Sequence, residues 1–457
     1  MADLRPFRGL HFDPARVNLS AVVCPPFDVI SPAEQQAYHA RDPHNIIRVE
    51  LGLGPADPLA PGNRYTAAAE ALARWQAERI LVRDAVPSLY LYEHQFVLQG
   101  RRLARRGVLV AGRLHDWTEG AVLPHEGTRA GPKQDRLALL RATRANVSPL
   151  WLLYEDTDGQ IAAALAPGHQ AEPLAIAETG GERHVLRRLA DSAALRALHD
   201  AFRHRPLYIA DGHHRYETAQ AYRDERRGQT AGPSARSDAD AGYEFALMLL
   251  VARDDPGLVV QPTHRLVRHL GRPLADVRAA LARWLTLSAL ALPAGGDAQV
   301  GSALEQALAA AGAEGPAFGL YEGGGAWLLR PRPAASWQAL LPPGHSDAWR
   351  RLDVAVLDAI AIREVCGIRA EGESAHADAA RGQASDRLAY ASDAAEAVAA
   401  VRSGAAQQAY LLNPPRVEQV CAVAAARDRM PPKSTFFYPK PVTGLVMHPL
   451  DGTRPRP

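Results

Sequence analysis

A mixed α/β (α+β) fold is what this sequence predicts, and three observations predict it. RPLYIADGHHRYETAQAYRDERR reads as a short apolar strand, a polar Asp-Gly turn and a helix, with two residues joining strand to helix. SLYLYEHQFVL and RRGVLVAGRL are rich in the Leu, Tyr, Phe and Val that suit a pleated surface, and a Gln99-Gly100 turn lies between them. PKQDRLALLRATRANVSPL instead repeats its apolar residues at helical spacing.

The elements follow in chain order. Residues 2–48 read mainly as extended pieces and turns, because the consecutive prolines of CPPFDVI hold that stretch out of helix as a stiff loop. A helix opens at SPAEQQAYHA, where Ser31 is the N-cap, Pro32 takes the first position and Glu34 completes a capping box. Residues 65–79 give a second helix, followed by the hairpin, the PKQDRLALL helix and the short strand WLLYED. Leu207 to Ala210 form the strand that meets the Asp211-Gly212 turn, and His213 opens the next helix. RGQTAGPSARSDADAG reads as a loop and YEFALMLLVA as a buried strand. Residues 273–290 read as one Ala- and Leu-rich helix, and LLRPRPAASW, from Leu328, as a boundary or crossover. The last hundred residues return to helix and end in the strand-and-turn tail KSTFFYPKPVTGLVM. The expected organisation is a catalytic core over residues 1–330 with insertions, then a helical region, 331–457, whose tail packs back on the core.

Composition narrows the function. The chain has 457 residues, of which 47% are hydrophobic and 22% charged, as in ordinary globular proteins. Fifty-two basic residues against 50 acidic ones leave a net charge of +2, without the electrostatic footprint of a general nucleic-acid binder. No apolar run approaches the roughly 18 residues of a membrane span, and MADLRPFRGL lacks the apolar core of a signal peptide, so a cytoplasmic protein without membrane contact is expected. Cys24, Cys366 and Cys421 stand far apart, which writes neither a disulfide framework nor a CxxC zinc site. There is no GxxxxGK[ST] loop, no GxGxxG after a strand, no kinase HRD or DFG and no GxSxG elbow. The common nucleotide folds are therefore excluded.

Four passages hold the residues that suit chemistry. ADGHHR sets Asp211, His213, His214 and Arg215 around a glycine, at a helix N-terminus whose backbone N–H groups attract anions. An Asp N-cap with a solvated first turn is the ordinary alternative, but histidines add nothing to capping. On the functional reading His213, His214 and Arg215 hold phosphate oxygens, while Asp211 binds Mg²⁺ or takes a proton from a hydroxyl nucleophile. PHEGT and PKQDR bring Glu126, Lys133, Asp135 and Arg136 close in sequence: Glu126 is a candidate metal ligand or base, and Lys133 and Arg136 are candidate phosphate clamps, against the alternative of a solvated loop before a helix. Only three of the basic residues are lysines, Lys133, Lys433 and Lys440. Chance survival explains them, or a tight anionic site that a planar guanidinium does not fit. PPKSTFFYPKP carries two of them, and Lys440 is a candidate donor to the same anion. PTHRL, with His264 and Arg265, reads as more often structural, and Cys24 as a buried thiol.

CPPFDVIS, HNIIRVE, PHEGT, PKQDRL, YIADGHHRYETA, PTHRL and STFFYPKPVTGLVM, in this order, resemble the family labelled domain of unknown function 1015. The DGHHR block also resembles the phosphate-binding box of the ParB and sulfiredoxin superfamily, which includes free-serine kinases. Some members of the 1015 family are understood to be serine kinases that use inorganic pyrophosphate. The resemblance implies a ParB/sulfiredoxin-like core with a helical C-terminal elaboration, and a kinase forming O-phosphoserine from L-serine, with pyrophosphate or a nucleotide as donor and Mg²⁺ as cofactor. On that reading Asp211, Glu126 and His213 are catalytic, Asp211 and Glu126 also hold the metal, and His214, Arg215, Lys133, Arg136 and Lys440 bind phosphate. A ParB-like nucleotide-binding module without turnover and a phosphoester hydrolase are the alternatives.

Overall fold

The computed structural model describes residues 1–128, 130–230, 239–333, 336–368 and 387–454. It divides into two compact units, one comprising Met1–Pro124, Thr128–Leu258 and Pro439–Pro457, the other His125–Gly127 and Val259–Tyr438.

The first unit is built on a mixed sheet. Its path runs Val122–Leu123, Leu207–Asp211, Leu150–Tyr154, Phe245–Ala252, Arg101–Arg113, Leu89–Leu98, Glu182–Leu189 and Pro173–Thr179, with Leu4–Arg5 paired on Arg101–Arg113. Leu207–Asp211 runs parallel to Val122–Leu123 and antiparallel to Leu150–Tyr154, which is parallel to Phe245–Ala252. FALMLLVA reads as an unbroken apolar run because both faces of this strand are covered. Ala246, Met248 and Leu250 pack with Leu195, Leu198 and Phe202 of the helix Ser192–Phe202. On the other face Leu249, Leu109 and Tyr92 meet Pro441, Val442, Leu445 and Val446 of the tail. The tail is also tied by backbone pairing of Thr443 with Cys24 and of Met447 with Leu10. Each fully buried aliphatic side chain here contributes roughly 1.5–3 kcal/mol.

Local chemistry explains most elements. Ser31 and Glu34 make the expected capping box on the helix Pro32–Arg41. Gln99 and Gly100 both take positive φ, the twist that a two-residue hairpin loop needs. CPPFDVI adds a 3-10 turn over Phe27–Val29 directly after its prolines. The expected loop RGQTAGPSARSDADAG begins later than read, because the helix His213–Thr230 runs through Thr230; residues 231–238 lie outside the described residues.

The second unit carries an antiparallel sheet in the order Leu285–Leu290, Gly325–Pro331, Phe318–Glu322, Gln408–Leu412, His264–Val267 and Leu388–Ala391. Val300, Leu304 and Leu308 of Asp297–Gly312 and Ala397 and Val398 of Ala394–Arg402 bury one face. The single helix expected over 273–290 is a helix, Leu274–Leu281, followed by the strand Leu285–Leu290. Cross-strand pairing with Gly325–Pro331 overrides the helix propensity of its Leu and Ala residues. The expected boundary near residue 330 falls within Gly325–Pro331, which is paired on both sides. The units part instead at Leu258 and Val259. The region 331–457, read as helical, also supplies Leu388–Ala391 and Gln408–Leu412 to this sheet.

Candidate functional site

The strand Leu207–Asp211 is apolar up to its last residue, so burying it carries the Asp211 carboxylate, 9% exposed, to the sheet's end. The chain then turns at once into the helix His213–Thr230. Gly212 makes this possible: its φ is +94°, and a Cβ there would lie 3.1 Å from Leu150 Cδ2 and 3.2 Å from the Arg215 guanidinium. The helix therefore begins beside Asp211, and a helix N-terminus carries the partial positive charge that attracts anions.

Two cations close on the carboxylate. Arg215, one turn along the helix, donates from Nη2 to Asp211 Oδ2 at 2.5 Å and from Nη1 to the Pro149 carbonyl at 2.6 Å. Lys440 Nζ, from the tail, donates to Asp211 Oδ1. Burial alone pushes the Asp211 carboxyl up, but the charges of Lys440 and Arg215, the Lys440 hydrogen bond and the nearby His213 hold it well below the usual carboxylate range. His213 is buried, 5% exposed, and His214 half-buried.

The other expected residues divide into three groups. Lys133, in the first turn of Ala130–Thr143, donates to Glu217 Oε2 at 2.9 Å, and the Thr128 hydroxyl donates to the same oxygen. Glu217 stands one turn beyond His213, so this pair lies along the helix that carries the Asp211 turn. Arg136 is buried over the Phe27 ring at 4.2 Å, donating to Asp135 Oδ2 at 2.7 Å and to the Glu50 carbonyl at 2.8 Å. Glu50 in turn accepts from Phe27 N at 3.1 Å and from the Ser148 hydroxyl at 3.2 Å. A cavity of about 50 Å³, room for a water or two, is lined by Glu50, Arg136, Ser148, Arg215 and Thr218 and joins this network to the Asp211 turn. Glu126 belongs to the short stretch counted with the second unit, where the carbonyl of the preceding His125 accepts from Met430 N at 2.8 Å.

Outside this site, Arg265 of PTHRL is 1% exposed and pairs with Asp358. The Cys24 thiol is fully buried. Glu217 and Glu50 are the groups that sequence reasoning missed. Glu217 carried a signal, its place four residues after His213 on one helix face. Nothing in the spacing of HNIIRVE pointed to Glu50, whose partners come from distant segments.

The fold and this turn define a mixed α/β protein with a buried carboxylate gripped by two cations at a helix N-terminus. The chain belongs to the family described as protein of unknown function (DUF1015), whose profile matches residues 4–355. No curated protein matches it in sequence. Among solved structures it is similar to a conserved hypothetical protein from Pyrococcus furiosus, with 13% identity over 76% of this chain and 95% of that one and a TM-score of 0.33. It is similar to a free serine kinase in complex with AMP, with 13% identity over 72% of this chain and 86% of that one and a TM-score of 0.33. A C-terminally truncated SbnI from Staphylococcus aureus is similar at 9% identity, over 69% of this chain and 79% of that one, with a TM-score of 0.31. No helix among the described residues is long and apolar enough to cross a membrane.

Proposed function

We propose that the chain transfers a phosphoryl group to the hydroxyl of a small metabolite, most simply free L-serine, forming O-phosphoserine from pyrophosphate or a nucleotide. The observation that carries this reading is the Asp211 turn, where an ammonium and a guanidinium converge at the start of a helix. The resemblance carried by the seven blocks supports the same class, and with it a ParB/sulfiredoxin-like core; the DGHHR and PKQDRL blocks lie within the matched family region.

In this proposal Lys440, Arg215, His214 and Lys133 bind phosphate oxygens, and Arg136 steadies the loops around them. His213 takes the hydroxyl proton as the serine oxygen bonds to phosphorus, the bridging P–O bond of pyrophosphate breaks and inorganic phosphate leaves with its electron pair. Asp211 fits neither of its expected roles well. A base works best with a pKa near the operating pH, and this carboxyl is held far below that. Both its oxygens already face cations, so a divalent ion would enter a cluster whose Asp211, Lys440 and Arg215 sum to one positive charge. These residues do not fit a resident Mg²⁺; the ion enters with pyrophosphate, as the substrate complex.

³¹P NMR of the protein with Mg²⁺ and L-serine, comparing pyrophosphate, ADP and ATP, tests the reading. The expected result is a phosphoserine signal that needs serine and one donor. Phosphate without phosphoserine supports a hydrolase instead, and an unchanged spectrum with every donor supports a binding module.

A further inference from the structure

A second cluster lies on the sheet of the first unit. His94 and His184 are directly opposed partners on the antiparallel strands Leu89–Leu98 and Glu182–Leu189, and Glu182 stands two residues from His184 on the same face. One ligand atom from each falls within 4.8 Å of the others, and His184 Nε2 makes no hydrogen bond. The set has the composition of a metal site but not its lone pairs. Arg105 Nη2, which can only donate, lies 2.9 Å from His94 Nδ1. That fixes the His94 proton on Nε2, which donates it to Glu182 Oε2 at 2.7 Å. His94 therefore offers a metal nothing, and metal-bound histidines turn their second nitrogen toward acceptors rather than toward a guanidinium.

The cluster serves Arg105. This arginine is 1% exposed, and its guanidinium stacks 4.0 Å over the Trp151 ring. The same Nη2 that meets His94 donates to the Pro439 carbonyl at 2.7 Å. Both contacts lead to the candidate site: Trp151 is the strand partner of Asp211, and Pro439 is bonded to Lys440.

We propose that Arg105, oriented by His94, is a positioning residue that sets Lys440 over Asp211, through the Pro439 carbonyl on one side and the Trp151 ring on the other. The proposal rests on reading Asp211 and Lys440 as part of the phosphate site. Burying a guanidinium is costly, and His94 repays that here only as a neutral acceptor; burial and the Arg105 charge push its pKa down to about 2, so it stays neutral at every ordinary pH.

The chain's three lysines make the test direct. Labelling lysine Cε with ¹³C gives one resonance each for Lys133, Lys433 and Lys440, with Lys440→Arg identifying the third. In the wild-type protein the two Hε protons of Lys440 are expected to be inequivalent, as in a fixed side chain. In Arg105→Met, which keeps the stem over Trp151 and removes the hydrogen bonds to His94 and Pro439, they should collapse to the averaged signal of a solvated lysine while Lys133 and Lys433 stay in place. Phosphoserine formation should fall about 100-fold in kcat/KM, the order of loss expected from about 1 Å of misplacement. Arg105→Lys, which retains a donor for Pro439, should restore the fixed Lys440 signal beside its own fourth resonance; it is read alone if the Met variant does not fold. A fixed, unshifted Lys440 signal in folded Arg105→Met, or a mobile one in Arg105→Lys, overturns the positioning role. Absent turnover in the wild-type protein overturns the phosphotransfer reading instead, and the lysine signals separate the two failures.

Discussion

Removing Lys440 tests the central arrangement without any assumption about substrate. Lys440 and Asp211 have side chains only 9% and 11% exposed, so Lys440→Met leaves a buried carboxylate with one cation instead of two. Breaking a buried ion pair from one side costs about 3–5 kcal/mol, and the retained Arg215 contact at 2.5 Å places this case near the lower end, at about 3 kcal/mol. At about 2 °C per kcal/mol for a unit of this size, the melting temperature at pH 7 should drop by about 6 °C. The pH dependence follows from the depressed pKa. Asp211 stays ionised in the folded wild-type protein below its unfolded value of about 3.9, so its stabilisation is full above that value and is lost as pH falls through the folded one. Without Lys440, burial raises the Asp211 pKa and the carboxyl protonates earlier, escaping the unpaired state. The gap between wild type and variant should therefore be widest at pH 7 and narrow below about pH 4. Thermal scanning, with hydrogen-exchange mass spectrometry to assign the transition to the first unit, reads both quantities. Asp211→Asn combined with Lys440→Met should recover at least half of the loss, since no orphaned charge remains. A Lys440→Met protein melting within about 1 °C of wild type at pH 7, with no coupling to Asp211→Asn, would refute the reasoning.

Three further predictions concern single positions. Gly212→Ala forces a side chain into a φ of +94° against Leu150 and Arg215; it should cost roughly 1–3 kcal/mol in a thermal melt and, on the proposed phosphotransfer, lower turnover more than stability alone explains. Burial pushes the Asp353 carboxyl up to about 6, against hydrogen bonding from the Ala317 backbone and the charge of Arg416, which pull it down. Its folded pKa exceeds the unfolded one, so stability falls as pH rises from about 4 to 6; Asp353→Asn should raise the melting temperature at pH 7.5, by about 1–3 kcal/mol in stability, and give no gain at pH 4 or below. Arg265→Met strands Asp358 in the second unit and should cost about 3–5 kcal/mol, seen as faster hydrogen exchange in His264–Val267 while Phe245–Ala252 in the first unit keeps its protection.

The local grammar of this chain was legible in its sequence. Ser31, Pro32 and Glu34 announce a helix start, Gln99-Gly100 a hairpin, and LYIADGHHR a strand that turns into a helix within two residues, because each depends on neighbours a few positions away. DGHHR and the rarity of lysine drew attention to Asp211, Arg215 and Lys440 for the same reason: residue type and spacing are local quantities. Where propensity misled, as at Leu285–Leu290, a partner strand some forty residues on decided the outcome. Only the tertiary structure joined Lys440 to Asp211 across 229 residues, set Arg105 against Pro439 across 334, and divided the chain at Leu258 while assigning its last residues to the first unit. It also made Asp211 a holder of cations. Sequence specifies which groups carry charge, but their pKa values and roles follow from burial and from the charges brought within a few ångströms, and those exist only once distant segments have packed.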